Sequence, residues 1–320
     1  MSLTDCSVIV VTPVYEDREA SGRLFKELAA ELGRDVFVVA VDDGSVKQPV
    51  EISSLEEAGV DGVVLKLRRN VGHQKAIAIG LGYVTQFIQE HQSIVAMDSD
   101  GEDLPSTVAD LLRDLKAGSV DIIVAQRKSR VETLKFKTFY AIYKRVFGMM
   151  TGRQISFGNF MAMTPSALRR LTAMPELSIH VASAVLASKL RIQKCLLDRG
   201  PRYAGRSKMN FVGLVLHGFK GMMVFAEDVL VRVGIACGLI AALAVGGGLL
   251  AIVLKLLGFS TPGWFSIAFG ILLLVFLQTG ALALMTLMMT GNMRSTTVMT
   301  TRNYEDTIES VLRSAPVRLV

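Results

Sequence analysis

Two long apolar runs without any charged residue constrain the fold of this chain most. Residues 233–254 and 256–293 contain no Asp, Glu, Lys or Arg. A helix needs about 20 residues to cross the hydrocarbon core of a bilayer, so each run is long enough. No comparable run precedes residue 229, and the N-terminal residues lack the layout of a signal peptide. We therefore expect a cytoplasmic N-terminal part followed by a membrane hairpin, with spans at about 229–254 and 265–290.

The charge of the chain is concentrated just before the first apolar run. The net charge is only +6, but residues 188–220 carry eight Lys or Arg against one acid, Asp198. This cluster, with Arg294 and Arg302 behind the second run, places both ends of the hairpin in the cytoplasm by the positive-inside rule. The cluster also suits a phosphate-binding site at the membrane face. A nucleic-acid partner is not indicated, because aromatic residues do not alternate with the Lys and Arg residues of this cluster. The three cysteines are far apart, which argues against a disulfide framework or a zinc site.

Short apolar runs alternate with helical patterns through the first part of the chain. The runs are rich in β-branched residues and read as buried strands. Such alternation predicts an α/β fold with a doubly wound, mostly parallel sheet that is covered on both faces. The predicted strands are residues 7–13, 36–41, 62–67, 93–97 and 120–125, and the predicted helices include 20–32, 108–115 and 175–190.

The fourth predicted strand ends abruptly at two carboxylates, Asp98 and Asp100. Side chains two residues apart on a strand face the same side, and ligands of such sheets collect at the carboxyl ends of the strands. Two hard oxygen ligands at this edge suit Mg²⁺ or Mn²⁺ carrying a substrate's phosphates. The alternative is an acidic turn that is merely solvated. The chain has neither a G-x-G-x-x-G motif after its first strand nor a Walker A loop, which argues against a dinucleotide dehydrogenase and a P-loop NTPase.

Four motifs in sequence order carry a family resemblance. They are Pro-Val-Tyr-Glu, Asp-Asp-Gly-Ser, Asn-Val-Gly-His-Gln-Lys-Ala and Met-Asp-Ser-Asp-Gly-Glu-Asp, each at or after a predicted strand. Residues 7–210 resemble a family 2 inverting glycosyltransferase, and specifically the membrane-bound, dolichol-phosphate mannosyltransferase-like group that uses polyprenyl phosphate. The resemblance implies a GT-A-like nucleotide-sugar domain and a bacterial inner-membrane protein of the cell envelope.

The resemblance also implies roles for individual residues on the donor side. Asp100, with Asp98, is the implied metal ligand for Mg²⁺ or Mn²⁺, and Asp98, Asp100 and Asp103 are the implied catalytic acids. Glu102 is a less certain member of the site, since it can equally cap the next helix. The implied donor-binding residues, for a UDP- or GDP-linked sugar, are Pro13, Tyr15, Glu16, Asp42, Asp43, Asn70, Gly72, Lys75, Asp98 and Arg202.

On the acceptor side, residues 202–208 resemble the Arg-x-x-Gly-x-Ser-Lys segment of the same group. Many polyprenyl-phosphate relatives carry an acid where this chain has Asn159, so a general base at that position is in doubt. If the acceptor were a hydroxyl group, Asp103, Glu176 or His180 would have to supply the base. The implied acceptor or phosphate ligands are Asn159, Arg202, Arg206, Ser207 and Lys208.

The sequence thus predicts transfer of one sugar from a nucleotide sugar to a lipid, preferably polyprenyl phosphate. Transfer to a hydroxyl lipid and a catalytically silent membrane scaffold are the alternatives. Small residues in the spans can pack the hairpin or form a homo-oligomer contact. The tail is expected to be partly helical around 304–312. The predicted domains are 1–208 (glycosyltransferase), 209–228 (amphipathic interfacial helices), 229–293 (two spans) and 294–320 (cytoplasmic tail).

Overall fold

The computed structural model describes residues 5–127, 134–203, 211–259, 263–295 and 301–314. The chain divides into two compact units. The first unit comprises residues 1–144, 154–224 and 299–320, and the second comprises 145–153 and 225–298. Arg206, Ser207 and Lys208, which the sequence assigns to phosphate binding, lie outside the described residues.

One sheet with eight described strands forms the centre of the first unit. Its order is β7-β5-β6-β4-β1-β2-β3-β8. The strands are β1 Val8–Val14, β2 Val36–Asp42, β3 Asp61–Leu67, β4 Ser93–Ala96, β5 Ile122–Arg127, β6 Met161–Met163, β7 Ile192–Leu197 and β8 Ile308–Arg313.

Most of this sheet is parallel. Strand β1 pairs in parallel with β2 and β4, β2 with β3, and β5 with β7. The short β6 is antiparallel to both β4 and β5, and β8 is antiparallel to β3. The carboxyl ends of β1 to β5 and β7 therefore meet at one edge, which confirms the predicted α/β fold with a mostly parallel sheet.

Helices cover both faces of the sheet because the strands are apolar on both sides. Ile9 and Val11 of β1 pack with one buried cluster and Val8 and Val10 with the other. The first cluster includes residues of α3, α6 and α7, and the second includes residues of α1, α2 and α4. The sheet is doubly wound, as predicted. The helices of this unit are α1 Arg18–Leu32, α2 Ile52–Ala58, α3 His73–Thr85, α4 Val108–Lys116, α6 Pro165–Thr172, α7 Val181–Ala187 and α8 Phe211–Met223; α5, Leu134–Thr151, contributes to both units.

Helix α3 lies unusually close to the sheet at Gly80. A Cβ atom at this position would lie 2.5 Å from Val11 Cγ1 and 2.8 Å from Val41 Cγ2. The missing side chain allows the helix to approach β1 and β2, whose ends carry site residues. The small residues of α3 thus position its N-terminus at the carboxyl edge of the sheet.

Two predictions about secondary structure are wrong. The tail predicted as partly helical around 304–312 has a 3-10 helix only at Thr301–Thr307, and Ile308–Arg313 is a strand. The open edge of β3 offers backbone hydrogen bonds there, and the segment Ile-Glu-Ser-Val-Leu-Arg has a two-residue period. The helix predicted from Pro175 through Leu190 is split into a 3-10 turn, Pro175–Ser178, and α7, because His180 adopts extended backbone angles.

The second unit is built on two long apolar helices, α9 Ala226–Leu256 and α10 Trp264–Ser295. They occupy the two predicted apolar runs, and Ala226–Leu256 and Trp264–Thr286 are long and apolar enough to cross a membrane. A Cβ atom on Gly247 would lie 3.3 Å from Leu272, so small residues serve contacts within this helix pair. Many apolar side chains are nevertheless exposed, such as Leu243 and Ile267.

Candidate active site

The acidic loop that follows β4, residues 98–103, folds back on itself. The Asp98 N–H donates to Asp103 Oδ2 at 2.9 Å, and the Glu102 N–H donates to Asp100 Oδ1 at 3.0 Å. Ser99, which is buried, donates its hydroxyl to the carbonyl oxygen of Pro13 at the end of β1. The turn is therefore fixed to the sheet edge, and it holds four carboxyl groups within six residues.

Residues 199–203, which we call the arginine strip, lie directly on the acidic loop. The Gly200 N–H donates to the Glu102 carbonyl at 3.0 Å, and the Tyr203 N–H donates to the Asp100 carbonyl at 2.9 Å. A Cβ atom on Gly200 would lie 2.4 Å from the Gly101 oxygen, so only glycine permits this approach. The backbone of the strip thus places its arginines beside the acids.

Two arginines of the strip form ion pairs with two of the four acids of the loop. Arg202 Nη2 lies 2.8 Å from Asp100 Oδ2, and its Nε donates to Glu102 Oε1 at 3.1 Å. Arg199 pairs with the other oxygen of Glu102. The sequence assigned Arg202 to the donor but did not single out Arg199. The structure brings both together with Asp100 and Glu102.

Tyr203 anchors the strip on helix α1. Its hydroxyl donates to Glu27, and the guanidinium of Arg23 lies 4.3 Å from the ring centroid. The ring also packs against Gly101, where a Cβ atom would lie 2.7 Å from it. The strip is therefore held at one end by an aromatic side chain and at its middle by the acidic loop.

Glu16 and Asp42 shape the loop after β2 rather than projecting freely from the sheet. The Glu16 carboxylate accepts hydrogen bonds from the N–H groups of residues 46, 47 and 48 at 2.7 to 3.1 Å. Asp42, which is 2% exposed, accepts from the N–H groups of Ser45 and Val50. Contact of either residue with a nucleotide stays a prediction, and their carboxylates already have protein partners.

Asp43 connects the end of β2 to the start of α3. Its two oxygens accept from the N–H groups of Val71 and Gly72 at 2.7 and 3.0 Å, and the residue is 2% exposed. Burial raises the pKa of this carboxyl, although the two backbone hydrogen bonds oppose that rise. Gly44, at a φ of +69°, lies so close to the next loop that a Cβ atom would sit 2.6 Å from Asn70 N. These contacts place two predicted donor loops side by side.

His73 is a site residue that the sequence reasoning missed. It is the first residue of α3, and its Nε2 lies 3.1 Å from Asp98 Oδ1 and 3.0 Å from Asn159 Nδ2. Burial disfavours the charged ring, but the charge of Asp98 and its contact with that residue raise the pKa of His73. The histidine already stood in the Asn-Val-Gly-His motif, but sequence alone gave no contact for it.

The three aspartates of the acidic loop differ in the direction of their pKa shifts. Burial, and then the charge of Asp98, raise the pKa of Asp103 to about 8, which places a proton on this carboxyl near neutral pH. The same two causes raise the pKa of Asp100, against the opposing charge of Arg202. Burial also acts on Asp98, but the charge of His73, its hydrogen bond and the charges of Arg127 and Arg199 together outweigh burial and lower the pKa of Asp98. Asp98 is therefore the most anionic of the three.

Asn159 lies in the site but is held by a chain of amide hydrogen bonds. The Val181 N–H donates to Gln74 Oε1 at 2.7 Å, which leaves Gln74 Nε2 to donate to Asn159 Oδ1 at 3.2 Å. Asn159 Nδ2 then faces His73. Asn159 is thus brought opposite Asp98, as a neutral side chain with two protein partners.

His180 is placed at the N-terminus of α7 and not among the acids. Its Nδ1 accepts from the Ser183 N–H, and its Nε2 lies 3.1 Å from His217 Nε2 on α8. Burial, and then the charge of His217, lower the pKa of His180 to about 3. Of the other predicted residues, Tyr15 is exposed, Asn70 is exposed beyond β3, Lys75 is half-buried on α3, and Glu176 is half-buried in the turn Pro175–Ser178.

The acidic loop fits a divalent cation bound together with phosphate. Asp98 Oδ1 is a buried oxygen that faces the His73 ring at 3.1 Å, and Asp100 presents a second carboxylate two residues away. Two carboxylates with substrate phosphates are the usual ligand set for Mg²⁺, and Mn²⁺ has similar preferences. Among the residues that the structure describes, no group of three or more His, Cys, Asp or Glu forms a protein cage for a metal ion. The fit is therefore to a metal that substrate helps to hold.

The family follows from a match over the part of the chain that builds this site. The model of the family described as glycosyl transferase family 2 matches residues 9–177, which include β1 to β6 and the acidic loop. The chain belongs to glycosyl transferase family 2. The glycosyltransferase class predicted from the four motifs is thereby confirmed.

Two similar proteins are identical to this family 2 chain at about a quarter of the aligned residues. The uncharacterized glycosyltransferase YkoT of Bacillus subtilis is 26% identical over 84% of this chain and 82% of its own length. The undecaprenyl-phosphate 4-deoxy-4-formamido-L-arabinose transferase of Klebsiella pneumoniae subsp. pneumoniae is 27% identical over 78% of this chain and 76% of its own. Among solved structures, glucosyl-3-phosphoglycerate synthase from Mycobacterium tuberculosis with Mn²⁺, UDP-glucose and phosphoglyceric acid is 17% identical, with a TM-score of 0.47 over 71% of this chain and 79% of that one.

Proposed function

We propose that this chain transfers one sugar, with inversion, from a UDP- or GDP-linked donor to polyprenyl phosphate at the cytoplasmic face of a bacterial inner membrane. The observation that carries the proposal is the acidic loop at the carboxyl edge of the sheet, with Arg199 and Arg202 against it. Carboxylates for a metal and arginines for phosphate oxygens are the groups that a departing nucleoside diphosphate requires.

In this proposal the acidic loop and the arginine strip have different roles in binding the donor. Asp98 and Asp100 would hold the cation, which supplies positive charge to the departing diphosphate. Arg202 and Arg199 would donate to the diphosphate oxygens, and Asp103 would hold the Asp98 backbone in place through its 2.9 Å hydrogen bond. Pro13, Tyr15, Asn70, Gly72 and Lys75 remain the proposed surroundings of the donor.

The proposed step needs no strong base. An oxygen of the acceptor phosphate forms a bond to the anomeric carbon from the side opposite the leaving group. The bond from that carbon to the diphosphate oxygen breaks, and its electron pair leaves with the nucleoside diphosphate. A phosphate acceptor is already ionised near neutral pH, so the neutral Asn159 is compatible with this chemistry. His180 is poorly suited to act as a base, since its Nδ1 is occupied and its Nε2 faces His217.

The second unit supports a membrane site for this reaction. Many apolar side chains of α9 and α10 are exposed, as membrane helices require and soluble helices avoid. The chain leaves the first unit before residue 225 and returns to it before β8, Ile308–Arg313, which pairs with β3 of the same sheet. Two crossings would return the chain to its starting side, and the basic residues favour the cytoplasm for that side. The Klebsiella relative, named for undecaprenyl phosphate, favours the same acceptor.

A transfer assay tests the proposal. Purified full-length protein in detergent is incubated with Mn²⁺, a panel of radiolabelled UDP- and GDP-sugars, and undecaprenyl phosphate. We expect one donor to give a labelled lipid that is extracted into organic solvent, and Asp100→Ala to abolish it. Binding of all donors without transfer to any lipid would favour a silent scaffold and contradict the proposal.

A further inference from the structure

Arg202 lies against the carboxylate of Asp100, the residue that the proposed function assigns to the cation. Its Nη2 lies 2.8 Å from Asp100 Oδ2, while the other oxygen of Asp100 accepts the Glu102 N–H. Both carboxylate oxygens are thus engaged by the protein. A guanidinium and a divalent cation on one carboxylate would repel each other strongly in a half-buried site. Metal binding at Asp100 therefore competes with Arg202.

Glu102 gives Arg202 a second contact that does not involve Asp100. The Nε of Arg202 donates to Glu102 Oε1 at 3.1 Å, independently of its bond to Asp100. The backbone is fixed as well, because the Tyr203 N–H donates to the Asp100 carbonyl and the tyrosine hydroxyl is anchored on Glu27. A displaced guanidinium can move away from Asp100 only by rotation of its own side chain, within reach of the acidic loop.

We propose that Arg202 is a built-in counter-charge that a divalent cation displaces from Asp100, and that Glu102 retains the arginine for the donor's diphosphate. The inference rests on the proposed function, because it takes Asp100 as a metal ligand. It adds a binding order: metal alone binds weakly, and metal with a nucleoside diphosphate binds strongly, because the diphosphate gives the displaced arginine a new partner. By linkage, each of the two ligands then raises the affinity for the other.

Mn²⁺ binding to the full-length protein without nucleotide gives the direct test. Free Mn²⁺ is measured by electron paramagnetic resonance for wild type and Arg202→Ala. We expect Arg202→Ala to bind Mn²⁺ about tenfold more tightly, a factor that corresponds to about 1.4 kcal/mol and suits the loss of one competing charge-assisted contact. Adding UDP or GDP should tighten Mn²⁺ binding less in this variant than in wild type. If Arg202 only bound the donor and did not compete with Mn²⁺, its replacement would leave the binding of Mn²⁺ alone unchanged.

Arg199→Ala is the matched control, because Arg199 pairs with Glu102 and has no ion pair with Asp100 among the described contacts. The charge of Arg199 acts on Asp100 from a distance, so Arg199→Ala should tighten binding of Mn²⁺ alone clearly less than Arg202→Ala does. Arg202→Lys keeps the charge and is a second variant if Arg202→Ala folds poorly. Its ammonium lacks the planar fork that holds Asp100 and Glu102 together, so it should tighten Mn²⁺ binding to a smaller extent.

The outcomes separate the two proposals. Unchanged or weaker Mn²⁺ binding by both Arg202 variants overturns the inference, while Mn²⁺-dependent UDP or GDP binding by wild type leaves the proposed function standing. Wild-type protein that binds no Mn²⁺, with or without UDP or GDP, overturns the metal site of the proposed function and the inference with it.

Discussion

Replacing Asp43 by Asn perturbs the connection between β2 and α3 with almost no change in shape. The carboxylate accepts one hydrogen bond on each oxygen, from the N–H groups of Val71 at 2.7 Å and Gly72 at 3.0 Å. Asparagine has one acceptor oxygen, so its amide N–H₂ must face one of these two donors. The position is 2% exposed, and water cannot readily replace the lost partner.

The expected cost follows from these contacts. A hydrogen bond to a charged group is worth about 1.5 to 3 kcal/mol, and a buried donor left unpaired costs about 1 to 3 kcal/mol. The raised pKa of Asp43 shows that burying its charge is itself unfavourable, and the neutral Asn side chain avoids this desolvation cost. We therefore expect the loop at Val71 to be less stable by about 2 to 3 kcal/mol, which predicts about 30- to 150-fold faster hydrogen exchange at the amides of Val71 and Gly72.

Asp42→Asn serves as the control for this prediction. Asp42 bonds the N–H groups of Ser45 and Val50, so its replacement should expose those amides and spare Val71. Unchanged exchange at Val71 and Gly72 in the Asp43→Asn protein would refute the reasoning, because the loop would then not depend on the carboxylate.

Three further predictions concern stability. The pKa of His180 is about 3 in the folded chain and about 6.5 in the unfolded chain, so between these pH values the unfolded chain binds more protons. The free energy of unfolding, measured with urea, should therefore fall as the pH drops below about 6.5, by up to about 1.4 kcal/mol per pH unit. His180→Asn should reduce this pH dependence. Gly80→Ala should lower the free energy of unfolding by about 1 to 3 kcal/mol, because the added methyl group overpacks against Val11. Gly22→Ala is the control: nothing lies within 4 Å of the added atom, so it should raise the free energy of unfolding by about 0.5 to 1 kcal/mol. Equal effects of the two substitutions would contradict the close packing of α3 on the sheet. Tyr304→Phe removes a hydroxyl that donates to the Gly82 carbonyl at 3.0 Å, and limited proteolysis should then release the β8 segment faster.

The sheet was predictable because its strands are apolar runs that end in polar residues. Strands β1 to β5 lie within two residues of their predicted bounds, and their carboxyl ends share the predicted edge. Strands β6, β7 and β8 were missed. The three residues of β6 give no period, β7 is a largely exposed edge strand without a continuous apolar run, and β8 is defined by the open edge of β3, far away in sequence. Pairing between distant segments leaves little trace in local composition.

The candidate site was predictable as a set of residues but not as a set of contacts. Asp98, Asp100 and Arg202 were named from their motifs, and the structure brings them together. That Glu16 and Asp42 bind backbone N–H groups depends on loop conformation, which the sequence does not display. His73 was overlooked because its contacts with Asp98 and Asn159 join three separate segments.

The chemical nature of the acceptor tests the central claim most directly. With the active donor in hand, undecaprenyl phosphate and undecaprenol are offered separately to the full-length protein, and the anomeric configuration of the product is determined by NMR. We predict transfer to the phosphate, with a configuration opposite to that of the donor, and none to the alcohol. Transfer to the alcohol alone, or retention of configuration, would contradict the account.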